Sequence, residues 1–269
     1  MTCIYLIGSL RNPQIPEIGN SLRKKGFDVF DDWHAAGPIA DDSWRDYEQA
    51  RGHSYKEALE GHPAKHVFTF DEYHLNRAHI GVLVYPAGKS GHLELGYLVG
   101  QGKETFILLD EIPERYDVMT QFATGGVFTD LDSFEKHLCS LSWPKIPDIP
   151  QLYQHELMWL AGLLEGEGSF CISGNVPRLV LQMTDLDIIQ HAAKLLNSSV
   201  WGGKRRTKGN KLIWACGASG LASIEYMRIL KPYLGTRRNK QITDTVSMWL
   251  GKRKYNKNDN FFWTRMFQL

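Results

Sequence analysis

Cysteine is scarce in this 269-residue chain, with four residues at positions 3, 139, 171 and 216. They form no Cys-x-x-Cys pair and have no histidine at ligand spacing, which excludes a disulfide framework and a zinc-finger type of site. No apolar run approaches the roughly 18 residues of a membrane span. The sequence opens directly with a predicted strand and shows no signal peptide. We therefore expect a cytoplasmic protein without a membrane partner.

The net charge is also small, +1 at pH 7, but acidic and basic residues are distributed unevenly along the chain. Residues 1–150 contain 14 Lys and Arg against 22 Asp and Glu, whereas residues 151–269 contain 17 against 8. A basic surplus of this kind attracts the phosphate backbone of nucleic acids. We expect the two halves to have different partners, and DNA to bind through residues 151–269.

The first half of the chain alternates strands with helices. Short apolar runs predict strands at 2–8, 27–30, 80–85, 105–109 and from 128, and helical periodicity predicts helices at 14–25, 64–77, 93–99 and up to 141. This alternation predicts a doubly wound, mostly parallel α/β sheet of flavodoxin or Rossmann type over residues 1–142. The polar and acidic segment 31–61 follows a strand, and we predict that it forms a functional flap.

A proline-rich stretch separates this region from the rest of the chain. Pro144, Pro147 and Pro150 cannot continue a helix or a central strand, which predicts an extended linker over residues 143–150. Residues 151–269 no longer alternate and are predicted to form a smaller α+β domain. Its predicted helices are 151–165, 185–196, 221–230 and 239–250, its predicted strands are 169–173, 179–183, 199–205 and 211–215, and residues 252–258 are a basic polar run.

The most informative segment of the first region follows the predicted strand 80–85. A loop with glycines and a proline comes next, and an apolar helix then begins at Leu93 with Glu94 in its first turn. Open α/β sheets bind ligands beyond the carboxyl ends of their strands, where backbone N–H groups of such a loop can face an anion. The pattern is equally typical of an active site and of a plainer role, in which Ser90 and Glu94 only cap the helix.

Three motifs occur in order in the first region: Tyr5-Leu6-Ile7-Gly8-Ser9-Leu10-Arg11, the segment Asp71–His79, and Ser90-Gly91-His92-Leu93-Glu94-Leu95-Gly96. Over about residues 1–140 they resemble the nucleoside 2-deoxyribosyltransferase family, and in particular its branch of 2′-deoxynucleoside 5′-monophosphate N-glycosidases. The resemblance implies an enzyme that cleaves or exchanges the N-glycosidic bond of a 2′-deoxynucleoside or of its 5′-monophosphate. It also implies that this region needs no cofactor.

The resemblance assigns roles to individual side chains. Glu94 is expected to attack C1′ of the 2-deoxyribosyl group and to form a covalent ester. Asp71, which the family carries near the start of a helix, is expected to hold or protonate the departing base, and Tyr5 to orient Glu94 or the sugar. The residues expected to bind substrate, among them the 5′-phosphate ligands of the monophosphate branch, are Gly8, Ser9, Arg11, Ser90 and Gly91.

Some observations leave the substrate open. Gly88 stands where transferases of the family often carry an aspartate, and the insertion 31–61 is unlike the compact monophosphate hydrolases. Arg11 is also compatible with a solvated turn. Candidates for stacking on the base, each of which core packing explains as well, are Phe30, Trp33, Trp44 and Tyr47.

The second region contains Leu160-Ala161-Gly162-Leu163-Leu164-Glu165-Gly166-Glu167-Gly168, followed by Ser169-Phe170. Together with the segments 181–185 and 230–235, it resembles the LAGLIDADG homing endonucleases over about residues 152–250. The family implies a saddle-shaped sheet in the DNA major groove and two helices packed through the small residues Ala161, Gly162 and Gly166. It further implies that Glu167 lies at the centre of that interface and binds Mg²⁺ with the scissile phosphate.

Only one such motif is present, so a cutting enzyme requires a homodimer to supply two acids. Asp185 and Arg237 are looser candidates for contacts with water or phosphate, and a solvated surface explains them equally well. A domain that keeps this fold and binds DNA without cutting it is the alternative to cleavage.

The sequence thus supports two function hypotheses. The first is a deoxyribosyltransferase or N-glycosidase that uses a covalent Glu94 intermediate and carries a C-terminal DNA-binding domain. The alternative is a homodimeric LAGLIDADG-type endonuclease or DNA-binding protein with an accessory N-terminal domain. A third possibility joins them, with glycosidic chemistry delivered to DNA. Both resemblances imply a homo-oligomer, and their pairing is typical of a phage or mobile element.

Overall fold

The computed structural model describes residues 1–147, 149–204, 211–253 and 257–269. The chain divides into two compact units, Met1–Trp143 and Pro144–Leu269. Between Trp143 and the first helix of the second unit, where the linker was predicted, the described residues form neither helix nor strand. A search of the described helices finds none with the length and apolar character that crossing a membrane requires.

The first unit is a mixed α/β structure. Its strands are β1 Cys3–Ile7, β2 Asp28–Phe30, β3 Ile80–Val84, β4 Glu104–Leu108 and β5 Gly126–Phe128. Its helices are α1 Gln14–Lys24, α2 Ala40–Ala50, α3 Tyr55–Glu60, α4 His62–Arg77, α5 Lys89–Gly100 and α6 Leu131–Ser140, with 3₁₀ helices at Asp32–Ala36 and Val118–Phe122.

All five strands pair in parallel, in the order β2-β1-β3-β4-β5. This agrees with the predicted class of a parallel α/β sheet. The order reverses between β1 and β3, because the chain leaves β1 toward one edge of the sheet and continues from β3 toward the other. In doubly wound sheets, ligands bind at the carboxyl ends of the two strands that flank such a point.

Alternation along β1 sorts its side chains between the two faces of the sheet. Ile4 and Leu6 pack with residues of α1 and α6 in one buried cluster. Tyr5 and Ile7 pack with residues of α4 and α5 in a second cluster on the opposite face. The face that Tyr5 occupies is therefore the one covered by the helices that carry Asp71 and Glu94.

The segment predicted to be a functional flap is largely helical, and two other predictions for the first unit are wrong in detail. The segment 31–61 folds into a 3₁₀ helix, α2 and α3, and α3 begins with a capping box between Ser54 and Glu57. Helix α5 begins at Lys89 with Gly88 as N-cap, so Glu94 lies in its second turn and Ser90 makes no side-chain cap. Asp71 lies well inside α4.

The second unit is built around an antiparallel sheet. Its elements in chain order are α7 Gln154–Glu167, β6 Gly168–Ser173, β7 Val176–Met183, α8 Leu186–Leu195, β8 Trp201–Lys204, β9 Ile213–Ser219, α9 Leu221–Leu230, a 3₁₀ helix Lys231–Tyr233, α10 Thr236–Lys252 and α11 Lys257–Phe267. The strand order is β6-β7-β9-β8, and α8, α9 and α10 pack against the sheet.

Here too the boundaries differ from prediction. Helix α7 continues through Gly166 to Glu167, so the predicted acid is the last helical residue and does not follow the helix. Helix α10 starts at Thr236, three residues before the prediction, and α11 was not predicted. The predicted strand end at Arg205 and the centre of the basic run, residues 254–256, lie outside the described residues.

Candidate functional site

Three ionisable side chains from different elements meet on one face of the parallel sheet. Tyr5 points from β1 and is 1% exposed. Asp71 comes from α4 and Glu94 from α5, and both residues are partly buried. Their charges act on one another, since Glu94 and Asp71 perturb the ionisation of Tyr5, and Asp71 perturbs that of Glu94. We call these three side chains the carboxylate cluster.

Burial controls the ionisation of the carboxylate cluster. Desolvation and the negative charge of Asp71 raise the pKa of Glu94 from 4.5 to about 7. Desolvation alone raises the pKa of Asp71 to about 6. Burial, with the charges of Glu94 and Asp71, raises the pKa of the Tyr5 phenol far above its usual value. Near neutral pH, the cluster therefore combines a neutral phenol with two carboxyl groups that exchange protons easily, which suits acid–base chemistry.

The two predicted glycines permit close packing at this end of the sheet. A Cβ atom on Gly8 would lie 2.6 Å from Ile15 Cδ1 of α1. On Gly91 it would lie 3.1 Å from both Ile7 and Leu83. Glycine at position 91 thus lets the first turn of α5 approach β1 and β3, which fixes the helix that carries Glu94.

The predicted phosphate ligands lie in the turn after β1, and their polar groups are engaged. The Ser9 hydroxyl accepts a hydrogen bond from the backbone N–H of Arg11 at 3.2 Å. The Arg11 guanidinium forms an ion pair with Asp42 of α2 at 2.7 Å, and both side chains are about half exposed. Ser90 is exposed in the first turn of α5. Asp42 was not named from the sequence, since its contact with Arg11 depends on how α2 folds back.

A second group of polar contacts joins the turns that follow β1 and β3. Buried Asn12 donates from Nδ2 to the Tyr85 carbonyl oxygen at 3.1 Å. The Tyr85 hydroxyl and His92 Nε2 are 2.8 Å apart, and His92 Nδ1 lies 2.9 Å from the Gly88 carbonyl oxygen. The Tyr85–Pro86 peptide bond is cis. These contacts order the loop that leads into α5.

The predicted base-stacking candidates differ in their availability. Phe30 is 4% exposed and belongs to the core of the α4/α5 face. The Trp33 indole donates to the Leu6 carbonyl oxygen at 2.8 Å, which ties it to β1. Tyr47 is 56% exposed on α2, with Arg51 over its ring. Core packing is thus the observed role of Phe30.

In the second unit, the last turn of α7 carries the predicted metal ligand. Glu167 is exposed, as are Gly162 and Gly166, and a Cβ atom on either glycine would meet nothing within 4 Å. Met158, one turn earlier, is 55% exposed. Met158, Gly162 and Gly166, spaced four residues apart, form one uncovered face of the helix, and Glu167 follows at its end. Ala161, predicted to share this face, is instead buried in the unit.

Two arginines at the start of α10 hold the carboxyl end of α7. Arg238, which is 5% exposed, donates to the carbonyl oxygens of Glu165 at 3.0 Å and Gly166 at 2.9 Å. Arg237 donates to the Glu165 carbonyl oxygen at 2.8 Å. The Glu165 carboxylate accepts from the Gly235 N–H at 2.9 Å. Cations at a helix carboxyl terminus complement its free carbonyls and its dipole. Arg237 thus contacts protein here, and Arg238 was missed from the sequence.

The antiparallel sheet has one buried and one exposed face. Leu179 and Leu181 of β7 are fully buried. Arg178 and Gln182, which flank them on β7, are exposed. Ser169 of β6, also exposed, shares their face through its pairing with Val180. Asp185, at the N-cap of α8, is exposed as well. The exposed face offers hydrogen-bonding side chains to an extended partner.

Within the described residues, no group of three or more His, Cys, Asp or Glu side chains could hold a metal ion. Glu167 supplies one carboxylate, and Mg²⁺ that is bound through one or two carboxylates takes its remaining ligands from water and substrate phosphates. A Mg²⁺ site at Glu167 would therefore need ligands from outside a single chain.

Comparisons of the chain with protein-family models and with curated proteins give no match. Among solved structures, two of the homing endonuclease I-CvuI are similar to it. One, in complex with the I-CreI target (C1221) in 2 mM Mg with the DNA not cleaved, is 19% identical over 39% of this chain and 71% of that chain, with a TM-score of 0.29. The other, in complex with its target (Sro1.3) in 2 mM Ca, is 15% identical over 43% and 96%, with a TM-score of 0.27. Similarity at these scores carries no argument about the function of this chain.

Proposed function

We propose that the first unit cleaves or exchanges the N-glycosidic bond of a 2′-deoxynucleoside or its 5′-monophosphate. The observation that carries the proposal is the carboxylate cluster, in which burial raises the pKa of Glu94 to about 7 and that of Asp71 to about 6. The cluster lies on the sheet face that α5 covers, and α5 directly follows β3. The strand order of the sheet reverses between β1 and β3, where doubly wound sheets bind their ligands. The sequence resemblance names the substrate class.

In the proposed first step, an ionised Glu94 oxygen forms a bond to C1′ while the bond between C1′ and the base nitrogen breaks. Asp71 gives its proton to the departing base, so the base leaves uncharged. The product is a 2-deoxyribosyl ester of Glu94. Tyr5, protonated because burial raises its pKa, can donate a hydrogen bond to Glu94 or to the sugar.

In the second step, water or another base attacks C1′ and the ester bond to Glu94 breaks. Asp71, now ionised, takes the proton of the attacking nucleophile and returns to its starting state. Water gives hydrolysis, and a base gives transfer. Glu94 and Asp71 therefore serve both hydrolysis and transfer, and the nucleophile that reaches the ester decides which of the two occurs.

The test is release of free base, followed by chromatography, from each 2′-deoxynucleoside and its 5′-monophosphate, with and without a second base. Glu94→Ala should abolish release and exchange. Glu104→Ala, which alters an acid on β4 outside the carboxylate cluster, is the control and should keep them. Release that persists in Glu94→Ala, or no turnover of any of these substrates by the wild type, would reject the proposal.

We further propose that the second unit binds DNA, and that it cuts DNA only as a homodimer. Support comes from the exposed Ser169, Arg178 and Gln182 on one sheet face and from the basic surplus of residues 151–269. The uncovered face of α7, with Gly162 and Gly166, lets a second copy approach closely and bring a second Glu167. Mg²⁺ could then be held between two carboxylates, where it would polarise a phosphate.

Nicking of supercoiled plasmid in the presence of Mg²⁺ tests this second proposal. Glu167→Gln should abolish nicking and leave DNA binding in place, whereas Glu94→Ala should affect neither. A wild-type protein that binds DNA but never nicks it would reject cleavage and keep binding. Loss of DNA binding in Glu94→Ala would contradict separate functions for the two units.

A further inference from the structure

One face of α4 brings an exposed aromatic ring beside the carboxylate cluster. Phe70 lies four residues before His74 and Asp71 three residues before it, so each of them neighbours His74 on the surface of the helix. Phe70 is 43% exposed, whereas His74 is 6% exposed. Neither aromatic residue was named from the sequence, although their spacing around Asp71 was visible there.

Four rings form a continuous chain that starts inside the carboxylate cluster. The Tyr5 and Phe30 centroids are 5.1 Å apart, and His74 stacks on Phe30 at 3.7 Å with an interplanar angle of 9°. Phe70 contacts His74 edge-on at 4.6 Å and Phe30 at 5.8 Å. Tyr5, Phe30 and His74 are all nearly buried. Of these four rings, Phe70 is thus the one that presents a large surface to solvent.

The four rings are uncharged, and all but Phe70 are buried. Burial lowers the pKa of His74 to about 4, so its ring is neutral at physiological pH. Phe70 packs on the buried rings of Phe30 and His74, which support it from below. An exposed ring supported in this way is a suitable platform for another flat ring, since nucleobases stack on aromatic side chains regardless of sequence.

We propose that Phe70 is the surface on which the departing nucleobase stacks. The inference rests on the proposed function of the first unit and names the group that recognises the base. Because Phe70 and Asp71 both neighbour His74 on α4, a base stacked on Phe70 would lie on the side of the sheet where Asp71 must deliver a proton to it. Because every nucleobase has an aromatic face, this contact predicts broad acceptance of bases.

The test compares Phe70→Leu with Phe68→Leu. Phe68 lies on the same helix, is 66% exposed and makes no ring contact among the described residues. Phe70→Leu should raise KM for the deoxynucleoside about tenfold with a much smaller change in kcat, because stacking is present before and during the reaction. Phe68→Leu should leave both unchanged, and Phe70→Tyr should restore the wild-type KM.

Inhibition by fragments separates stacking from a structural effect. Phe70→Leu should weaken inhibition by free adenine and free thymine about tenfold, and should leave inhibition by 2-deoxyribose, which has no base, unchanged. Equal loss of both inhibitions, or none, would overturn the inference. If the wild type releases no base, the proposed function fails separately. Equilibrium dialysis of free adenine then decides, because wild-type binding lost in Phe70→Leu supports the stacking role and no binding overturns it.

Discussion

Glu94 and Asp71 lie in surroundings that favour their neutral forms, so their charge changes within the physiological pH range. The pKa values of about 7 and about 6 have burial as their main cause. The proposed reaction needs one proton on the pair, with Glu94 ionised to attack and Asp71 protonated to release the base. Because the pKa of Glu94 lies above that of Asp71, the single proton rests mainly on Glu94 between pH 6 and 7, and the reacting form is the less populated of the two one-proton forms.

The pH dependence of base release should therefore be bell-shaped. We expect kcat/KM to rise near pH 6 and to fall near pH 7, because the pair carries a single proton between these values. Asp71→Asn should slow base release strongly and move the acidic limb of the residual activity to lower pH, since it removes the charge that raises the pKa of Glu94. A profile that rises to a plateau without an alkaline limb would contradict proton donation by Asp71.

The free energy of unfolding tests the burial of Glu94 without any substrate. An ionised Glu94 is disfavoured in the folded chain, so the folded state keeps this proton to higher pH than the unfolded state. Stability should fall as the pH rises from about 4.5 to about 7. Glu94→Gln should raise the unfolding free energy by about 2 to 3 kcal/mol at pH 8 and change it little at pH 4, as urea unfolding would measure. An equal effect at both values would contradict the burial argument.

Asp42 opposes the predicted phosphate ligand, since its carboxylate pairs with Arg11 at 2.7 Å. A 5′-phosphate has to compete with Asp42 for this guanidinium. Asp42→Asn should therefore raise the ratio of kcat/KM for the monophosphate over the nucleoside by about two- to fivefold, the modest effect of an exposed ion pair. Asp41→Asn, which removes an exposed acid of the same helix, is the control, because Asp46 shares its partner Arg45 with Asp42. An unchanged ratio in Asp42→Asn would show that Arg11 does not contact the 5′ end.

At the scale of elements, the carboxyl end of α7 depends on one buried side chain. Arg238 satisfies two free carbonyls of the last helical turn and also donates to Gln241 at 2.8 Å. Its loss would remove the donor to the Gly166 carbonyl and leave the Glu165 carbonyl with the donor from Arg237 alone. The direction in which Glu167 leaves the helix follows from this contact.

Arg238→Ala should lower the unfolding free energy of the second unit by about 2 to 3 kcal/mol, measured by calorimetry on the full chain. Arg237→Ala is the matched control, since the Arg237 side chain is 64% exposed, and should cost less than about 1 kcal/mol. Similar losses in the two variants would contradict the role assigned to Arg238.

The sequence predicted the elements better than their ends. The apolar runs of β1, β3 and β4 were sufficient to locate a parallel sheet, because buried strands read as unbroken hydrophobic segments. The start of α5 was missed because Ser90 and Gly91 read as a loop. In the structure Gly91 lies in the first turn of α5, where a side chain would crowd Ile7 and Leu83, and this close packing depends on the fold.

Helix α3 shows a signal that was present and not used. Ser54 and Glu57, which are three residues apart in the sequence, form a capping box, and this pattern marks the start of a helix. No comparable local signal announces the Arg11–Asp42 pair, the cap of α7 by Arg238 or the contact of Phe70 with Phe30. Each joins residues from separate elements, so only the fold brings them together.

At the scale of the whole molecule, two compact units of opposite charge carry separate candidate sites. The acidic unit holds the carboxylate cluster, and the basic unit holds Glu167 and an exposed polar sheet face. The chemistry proposed for the first unit needs no residue of the second. In the proposed reaction, Glu94 becomes covalently bound to the sugar.

The decisive experiment for the proposed mechanism is to trap the 2-deoxyribosyl ester of Glu94. The full chain is mixed with 2′-deoxyadenosine or its 5′-monophosphate, quenched in acid within one turnover, and measured by intact and peptide mass spectrometry. We expect a 2-deoxyribosyl group, or its 5-phosphate, on the peptide that contains Glu94. This adduct should be absent from Glu94→Ala, and it should disappear at longer reaction times or when a free base is added. Base release without any adduct, or an adduct on another residue, would contradict the proposed mechanism.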